Sequence, residues 1–454
     1  MAWDGKHLKL PEEAAYIINT LNKYGFNAHA VGGCVRDSIM GKTPEDWDIA
    51  TNAQPEDVKG LFAKTVDTGI RHGTVIVILE KRSYEITTYR VDGQYKNNRH
   101  PLKVEFTPFL EEDLRRRDFT INAMAYHPEG GLIDPFNGIK DIEGKVIRCV
   151  GSPARRFNED ALRMLRAVRF SAQLDFTVEA GALNSIRVNS RLIRNISSER
   201  IRDELTKTIM SDYPSRLVLL KDTGLMGHVL PEFENCFGVS QNNPFHVDDV
   251  ANHILKSLRH IEKDRILRWA MLLHDIGKPL CKSTDEKDVD HFYTHCSESE
   301  CLASIILKRL KFENKAINKI CRLVKYHDYN IIPGEKSVRR AVSIIGDDIF
   351  PDILKVKEAD RKAQNPAILD ERLKELERIR LIYSEIKRKE QCLNVRELAI
   401  KGDDLIKLGF RQGKEIGFIL GRMLDAVLDN PEINDKDTLA AMAENMREEW
   451  LNCN

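Results

Sequence analysis

Net charge is missing from this chain: 70 Lys and Arg offset 70 Asp and Glu over 454 residues. That balance excludes a uniformly basic protein that coats nucleic acid, so a nucleic-acid partner would need a local basic surface. No apolar run approaches the roughly 20 residues that span a bilayer, and no membrane partner is expected. The opening stretch MAWDGKHLKL lacks an apolar centre, which argues against a secretory leader and for a cytoplasmic location. No two of the nine cysteines form a Cys-x-x-Cys pair, so reduced thiols are expected instead of a zinc ribbon or a disulfide framework. Aromatics are sparse at 7% while charged residues reach 31%, as in a soluble, helix-rich protein. Internal repeats and low-complexity tracts are also missing.

The length is too great for one core and implies roughly two to four domains. Residues 11–24, PEEAAYIINTLNKY, carry apolar positions at helical spacing up to Gly25. NAHAVGG (27–33) has a strand pattern and CVRDSIM (34–40) that of a short helix ended by Gly41. DWDIAT (46–51), TVIVIL (74–79) and YEITTYR (84–90) follow as strands. From about residue 155 helical periodicity takes over, as in NEDALRMLRAVRFSAQL (158–174) and ERIRDELTKTIM (199–210), broken by QNNPF and IIPGE. The expected architecture is an α/β head followed by a long, mainly α-helical body.

Gly32 and Gly33 lie between a strand and a helix, where free backbone N–H groups and the helix dipole favour an anion such as a phosphate. Arg36 on the first turn would add a charge-assisted contact. A plain strand-to-helix connection would use the same residues. Asp46 and Asp48, two apart on a strand, project to one face while Trp47 points away. Two carboxylates that close repel unless a cation lies between them, and hard oxygen ligands suit Mg²⁺ beside a phosphate. A solvated acidic edge is the alternative. Together these residues fit phosphoryl transfer with two metal ions about 3.5–4 Å apart, and Glu85 is a candidate third carboxylate.

GGCVRD followed by DWDIAT resembles the head signature of the family of class II tRNA nucleotidyltransferases and bacterial poly(A) polymerases, within the polymerase-β-like nucleotidyltransferases. LRRRDFTINAMAY (114–126), DPFNGIKDIEGKVIR (134–148) and NEDALRMLRAVRF (158–170) are similar to its next three motifs, in order. The resemblance implies Asp46 and Asp48 as catalytic Mg²⁺ ligands. Gly33, Arg36, Arg117, Asp160, Arg163, Arg166 and Arg169 are then the nucleotide-binding residues.

Asp160 and Arg163 stand three apart on an expected helix. A carboxylate accepts from an amino group and a guanidinium donates to a ring acceptor, so the pair would match cytosine and adenine and leave uracil and guanine unsatisfied. An ordinary ion pair between neighbours on one helix is the alternative to this protein template. The polar, basic stretch 90–106 is expected to be a mobile loop, matching the family loop that helps the site switch from C to A.

WAMLLHDIGKPL brings His274 and Asp275 together and resembles the HD phosphohydrolase superfamily. His253 and Asp360 match its outer ligands, and His295 and His327 match the positions used when a second metal is bound. Imidazole with carboxylate suits a transition metal. The Gly-punctuated tail from IKGDDLIKLGF resembles the C-terminal segment of HD-containing tRNA nucleotidyltransferases. The division expected is a head over 1–150, a helical neck and body over 151–240, an HD domain over 241–365 and a helical tail over 366–454. The implied activity is template-independent addition of CCA to tRNA from CTP and ATP, with release of pyrophosphate. CC addition, A addition or poly(A) synthesis by the same chemistry, and an HD phosphodiesterase with an RNA-binding head, are the alternatives.

Overall fold

Short alternating segments in the first 133 residues pair into one mixed sheet, as seen in a computed structural model that describes residues 7–69, 73–93, 95–96, 100–101 and 104–453. Its strands are β1 (Ala28–Val31), β2 (Asp48–Thr51), β3 (Thr65–Gly69), β4 (Thr74–Leu79), β5 (Arg82–Thr88), β6 (Ala125–His127) and β7 (Gly131–Ile133). The spatial order is β7-β6-β1-β2-β5-β4-β3. Only β2 and β5 run parallel, with Asp48 opposite Glu85. All four expected strands appear. The other three, β3, β6 and β7, are too short or too polar to show a clear period of two in the sequence.

The helix Glu12–Lys23 buries Ala14, Ile17, Ile18 and Leu21, the i, i+3, i+4, i+7 face that its periodicity calls for, and lies against β1. Val31 from β1, Ala50 from β2 and Ala125 from β6 share a core with Tyr89 and Leu114. Residues 94, 97–99 and 102–103 of the expected loop lie outside the described residues. At its two ends, Arg90–Asp92 pairs antiparallel with Val104–Phe106.

The chain forms two compact units, 1–234 and 235–454. In the first, a parallel pair of two-residue strands, Val146–Ile147 with Thr177–Val178, joins the sequence on either side of residue 150. The helix expected over 158–174 is corrected to two: Pro153–Glu159 and Leu162–Leu174, with Asp160 extended between them. The cause is local, since the Asp160 carboxylate accepts from Leu162 N–H at 3.1 Å and so competes with the helical ladder.

The second unit is helical. Asp249 and Asp264 cap the helices Val250–His260 and Arg265–Leu273 by accepting backbone N–H groups. Its last part, from Cys392 through Ala443, has a core of its own built on Leu398, Leu405, Phe410, Ile419, Met423 and Leu439. Among the described residues no helix is long and apolar enough to cross a membrane, and the eight cysteines with described side chains are free thiols.

Gly138 opens the helix Gly138–Glu143 beneath the turn Thr120–Asn122 that carries site residues. A Cβ there would lie 2.5 Å from the Thr120 carbonyl oxygen and 2.8 Å from Met124 Sδ. Gly138→Ala is expected to lower the free energy of unfolding by about 1–3 kcal/mol through overpacking. Urea denaturation checks this, and unchanged stability would refute the close approach.

Candidate functional site

The residues 46–49 alternate, with Asp46 and Asp48 exposed and Trp47 and Ile49 buried. Strand β2 begins only at Asp48, so Asp46 lies just before it, yet the two carboxylates keep the expected common face. Parallel pairing puts Glu85 opposite Asp48, and both border a cavity of about 250 Å³ with Thr87, Arg90, Arg116 and Arg117. Although Asp48 is exposed, the protein packed around its carboxyl desolvates it and raises its pKa, with Arg117 opposing the effect and Asp46 adding to it. Burial and the charges of Asp48 and Asp46 likewise raise the pKa of Glu85, against Arg90. Negative charge thus gathers at Asp48 and Glu85, with Asp46 adding to it at both, and a divalent cation relieves that repulsion.

Gly32, at φ +78°, ends the turn from β1 into the helix Gly33–Ile39. A Cβ on it would meet Arg117 Nη1 at 2.9 Å, so glycine lets that guanidinium lie against the backbone. Arg117 is tied to Asp113 at 3.3 Å, and its buried Nε has no hydrogen-bond partner. Gly33 is the first helical residue. Arg36 is buried and donates to Asp37 at 2.9 Å through both Nε and Nη2, and to Asn122 Oδ1 at 2.6 Å, so protein groups already hold its guanidinium.

Asp160 and Arg163 do not share a helix, and though Arg163 N–H donates to the Asp160 carbonyl at 3.0 Å, their side chains turn to other partners. Asp160 Oδ2 accepts from Arg200 at 3.0 Å, while Arg163 donates to Glu159 at 2.8 Å and to the Arg116 carbonyl at 2.8 Å. Arg166 grips Asp118 through Nε at 2.6 Å and Nη2 at 2.5 Å. Asp118 also accepts from Phe119 N–H and from Asn122, which holds Arg36. Burial opposes ionisation of Asp118, but Arg166, Arg163 and these hydrogen bonds outweigh it and hold the pKa at about 2. Arg169 donates to Glu204 at 3.1 Å, and burial, with Arg166 beside it, pulls its pKa down to about 10. The guanidinium carbons of Arg36, Arg166 and Arg169 lie 5.2, 5.3 and 4.3 Å from the centre of the Phe170 ring.

In the second unit His253, His274, Asp275 and Asp360 offer atoms within 4.8 Å of one another. His253 Nε2 stands 2.9 Å from Asp360 Oδ1 and 3.3 Å from His274 Nε2, which is 3.3 Å from Asp275 Oδ2. His274 Nδ1 donates to the Met271 carbonyl at 2.7 Å, leaving Nε2 to face the cluster. That second hydrogen bond is the one that metal-binding imidazoles use to fix their orientation. Asp275 also receives Lys278 Nζ at 2.7 Å. Burial opposes ionisation of both acids, but His274 and Lys278 at Asp275, and His253 and His274 at Asp360, hold both carboxyls well below the usual range. Through its other oxygen Asp275 reaches His295 and His327 at 3.5 and 3.4 Å.

Sequence reasoning overlooked Asp118, Asn122, Glu159, Arg200, Glu204 and Cys296. For Asp118 a signal existed, an acid directly after three arginines, and for Cys296 its position next to His295. Arg200 and Glu204 carry no such mark, because only the packing of the helix Ser198–Ile209 beside Leu162–Leu174 brings them to the site.

Residues 28–148 match the poly A polymerase head domain, 175–237 the "Probable RNA and SrmB- binding site of polymerase A", and 283–443 domain 2 of tRNA nucleotidyltransferases. The CCA-adding enzyme of Lactobacillus helveticus (strain DPC 4571) is 33% identical over 96% of this chain and 98% of its own length. That of Limosilactobacillus reuteri (strain DSM 20016) is 34% identical over 96% and 97%. The crystal structure of the Bacillus stearothermophilus CCA-adding enzyme in complex with CTP superposes with a TM-score of 0.74 at 31% identity, over 97% of this chain and 99% of that one.

The Asp118 pair generates a pH-dependent prediction. Its folded pKa of about 2 lies below the ordinary 3.8, so its stabilisation is complete above about pH 4 and is lost as pH falls through 2. The difference corresponds to about 2 kcal/mol. Asp118→Asn is expected to lower stability by about that much at pH 7, with the gap to the unaltered protein closing below pH 4. Urea denaturation at stepped pH measures it, and equal stability at pH 7 would contradict the pair.

Proposed function

The chain belongs to the CCA-adding enzyme family of tRNA nucleotidyltransferases, and from that premise we propose how its own residues carry out the addition. The protein adds CCA to the 3′ end of tRNA from CTP and ATP, releasing pyrophosphate, with no nucleic-acid template. Partial addition or poly(A) synthesis gives way to the full reaction, because the relatives named for CCA addition align from end to end. Cytoplasmic location belongs to the same proposal.

Asp46 and Asp48 hold Mg²⁺, with Glu85 as the third carboxylate. The observation that carries this is the raised proton affinity of Asp48 and Glu85, to which Asp46 contributes, beside a cavity that also presents Arg90, Arg116 and Arg117. Ions held by these carboxylates would supply charge to activate the tRNA 3′ hydroxyl and to stabilise the departing pyrophosphate. Arg117, resting against Gly32, binds the triphosphate with the backbone of the turn. Arg36 and Arg169 act from behind, since Asp37, Asn122 and Glu204 already hold them and they stack with Arg166 around Phe170.

Asp160 and Arg163 read the base edge. The break after Glu159 and the contact with Arg200 hold the Asp160 carboxylate in place, with acceptor capacity left on its oxygens. Glu159 and the Arg116 carbonyl fix the plane of Arg163. Both partners are therefore set before a nucleotide arrives, and a rigid site rejects the wrong edge most strongly. We assign the functional division as head 1–150, neck and body 151–240, HD domain 241–365 and tail 366–454. We read His253, His274, Asp275 and Asp360 as an HD-type centre for a transition metal, supported by the inward-facing Nε2 of His274.

The test is incubation with tRNA lacking its 3′ CCA, with labelled CTP and ATP given separately and together. Asp48→Ala is expected to lower incorporation at least about 100-fold while the fold is kept. Incorporation near the unaltered rate, with Mg²⁺ as the only cation, would overturn the metal assignment.

Base selection is tested separately. Asp160→Ala and Arg163→Ala are each expected to raise UTP or GTP use relative to CTP and ATP about tenfold or more. The measurement is kcat/KM for all four nucleotides, and unchanged ratios in both variants would make these residues purely structural.

A further inference from the structure

Beside the first histidine–aspartate group lies a second one, made of His295, Cys296 and His327. We propose that Cys296 is a thiolate ligand of a second metal position there, which makes the two halves of the cluster chemically unequal. The inference rests on the metal-centre reading of the HD cluster and goes beyond it, because imidazole and carboxylate alone account for that reading.

Three observations carry it. His295 Nδ1 donates to the Phe292 carbonyl at 2.8 Å and His327 Nδ1 to the Val324 carbonyl at 2.7 Å, so both Nε2 atoms are turned to one point, 3.4 Å apart. Asp275 Oδ1, in a fully buried side chain, has no hydrogen-bond partner and stands 3.5 Å from His295 Nε2 and 3.4 Å from His327 Nε2. Cys296 Sγ lies 3.5 Å from His295 Nε2 and touches the His327 ring at Nδ1, 3.9 Å away.

The 3.4 Å between the two Nε2 atoms, their 3.5 and 3.4 Å to Asp275 Oδ1 and the 3.5 Å from Sγ to His295 Nε2 match a tetrahedral shell. With Zn–N of about 2.0–2.1 Å and Zn–S of about 2.3 Å, tetrahedral angles put two nitrogens about 3.4 Å apart and a nitrogen and a sulfur about 3.5 Å apart. Two imidazoles, one carboxylate oxygen and one thiolate are the soft set that favours Zn²⁺ or Co²⁺ over Mg²⁺. The left-handed turn at Thr294, φ +67°, starts the helix His295–Arg309 at this point, so two consecutive residues can serve one ion. The first position takes no sulfur: His253, His274 and Asp360 with Asp275 Oδ2 form its set, and Asp275 bridges the two.

Binding releases the thiol proton to solvent and forms a metal–sulfur bond, with no change of oxidation state. The test uses the full chain, stripped with a chelator, loaded with Co²⁺ and desalted to remove loosely held ions. A thiolate-to-Co²⁺ charge-transfer band in the near ultraviolet is expected in the unaltered protein. Cys296→Ser and Cys296→Ala are each expected to lose that band and about one retained metal ion per chain, with affinity for that ion falling at least about tenfold. Cys301→Ser, on the exposed side of the same helix, should keep both. Circular dichroism confirms that the variants fold. Retained Co²⁺ without the band, or a band that survives in both Cys296 variants, would overturn the thiolate ligand and leave the metal centre standing. A desalted protein that retains no metal would overturn both.

Discussion

The ion pair between Asp118 and Arg166 is the contact on which the transferase site depends. Asp118 sits directly after Arg117, in the segment that faces β1, while Arg166 belongs to the helix after the Asp160 break. The same carboxylate accepts from Asn122, Asn122 holds Arg36, and Arg36 returns to Phe170 beside Arg166 and Arg169. A single buried charge thus sets the distance between the segment that carries Arg117 and the helix that carries Arg163. Guanidinium groups suit this role because their donors lie in one rigid plane and keep their charge when buried.

Carboxylates are concentrated in both units, and each unit balances them differently. Around Asp48 burial and neighbouring acids raise the proton affinity of Asp48 and Glu85, and the nearby arginines offset this only in part, a balance that suits a hard cation. Around Asp275 histidines and Lys278 outweigh burial, and the carboxylate stays ionised. Open geometry with solvent access suits ions that arrive with a nucleotide. Buried imidazoles fixed by backbone carbonyls suit an ion that stays.

Most of the head was readable because its signals are local. The pairing of Asp46 with Asp48 follows from the period of a strand, and the turn at Gly32 follows from a backbone that needs positive φ. The relation between Asp160 and Arg163 was misread. Helical periodicity runs through residues 158–174 without a visible interruption, and an acid at the break between two helices looks the same in sequence as one inside a helix. Strands β6 and β7 escaped for a similar reason, since three residues do not establish a period.

By itself the sequence determined the chemistry: which acids, arginines and histidines are available, in what order, and which of them share one turn or one strand. These are properties of neighbours along the chain, where spacing dictates direction. Tertiary structure alone decided the partners. It gave Arg200 to Asp160, Glu159 to Arg163, Asp118 to Arg166 and Glu204 to Arg169, and it set Cys296 beside two histidines, one of them 31 residues away. Except for the near neighbour Glu159, those choices arise from helix packing and backbone turns, which depend on contacts between residues far apart in sequence and therefore leave no periodic trace in it.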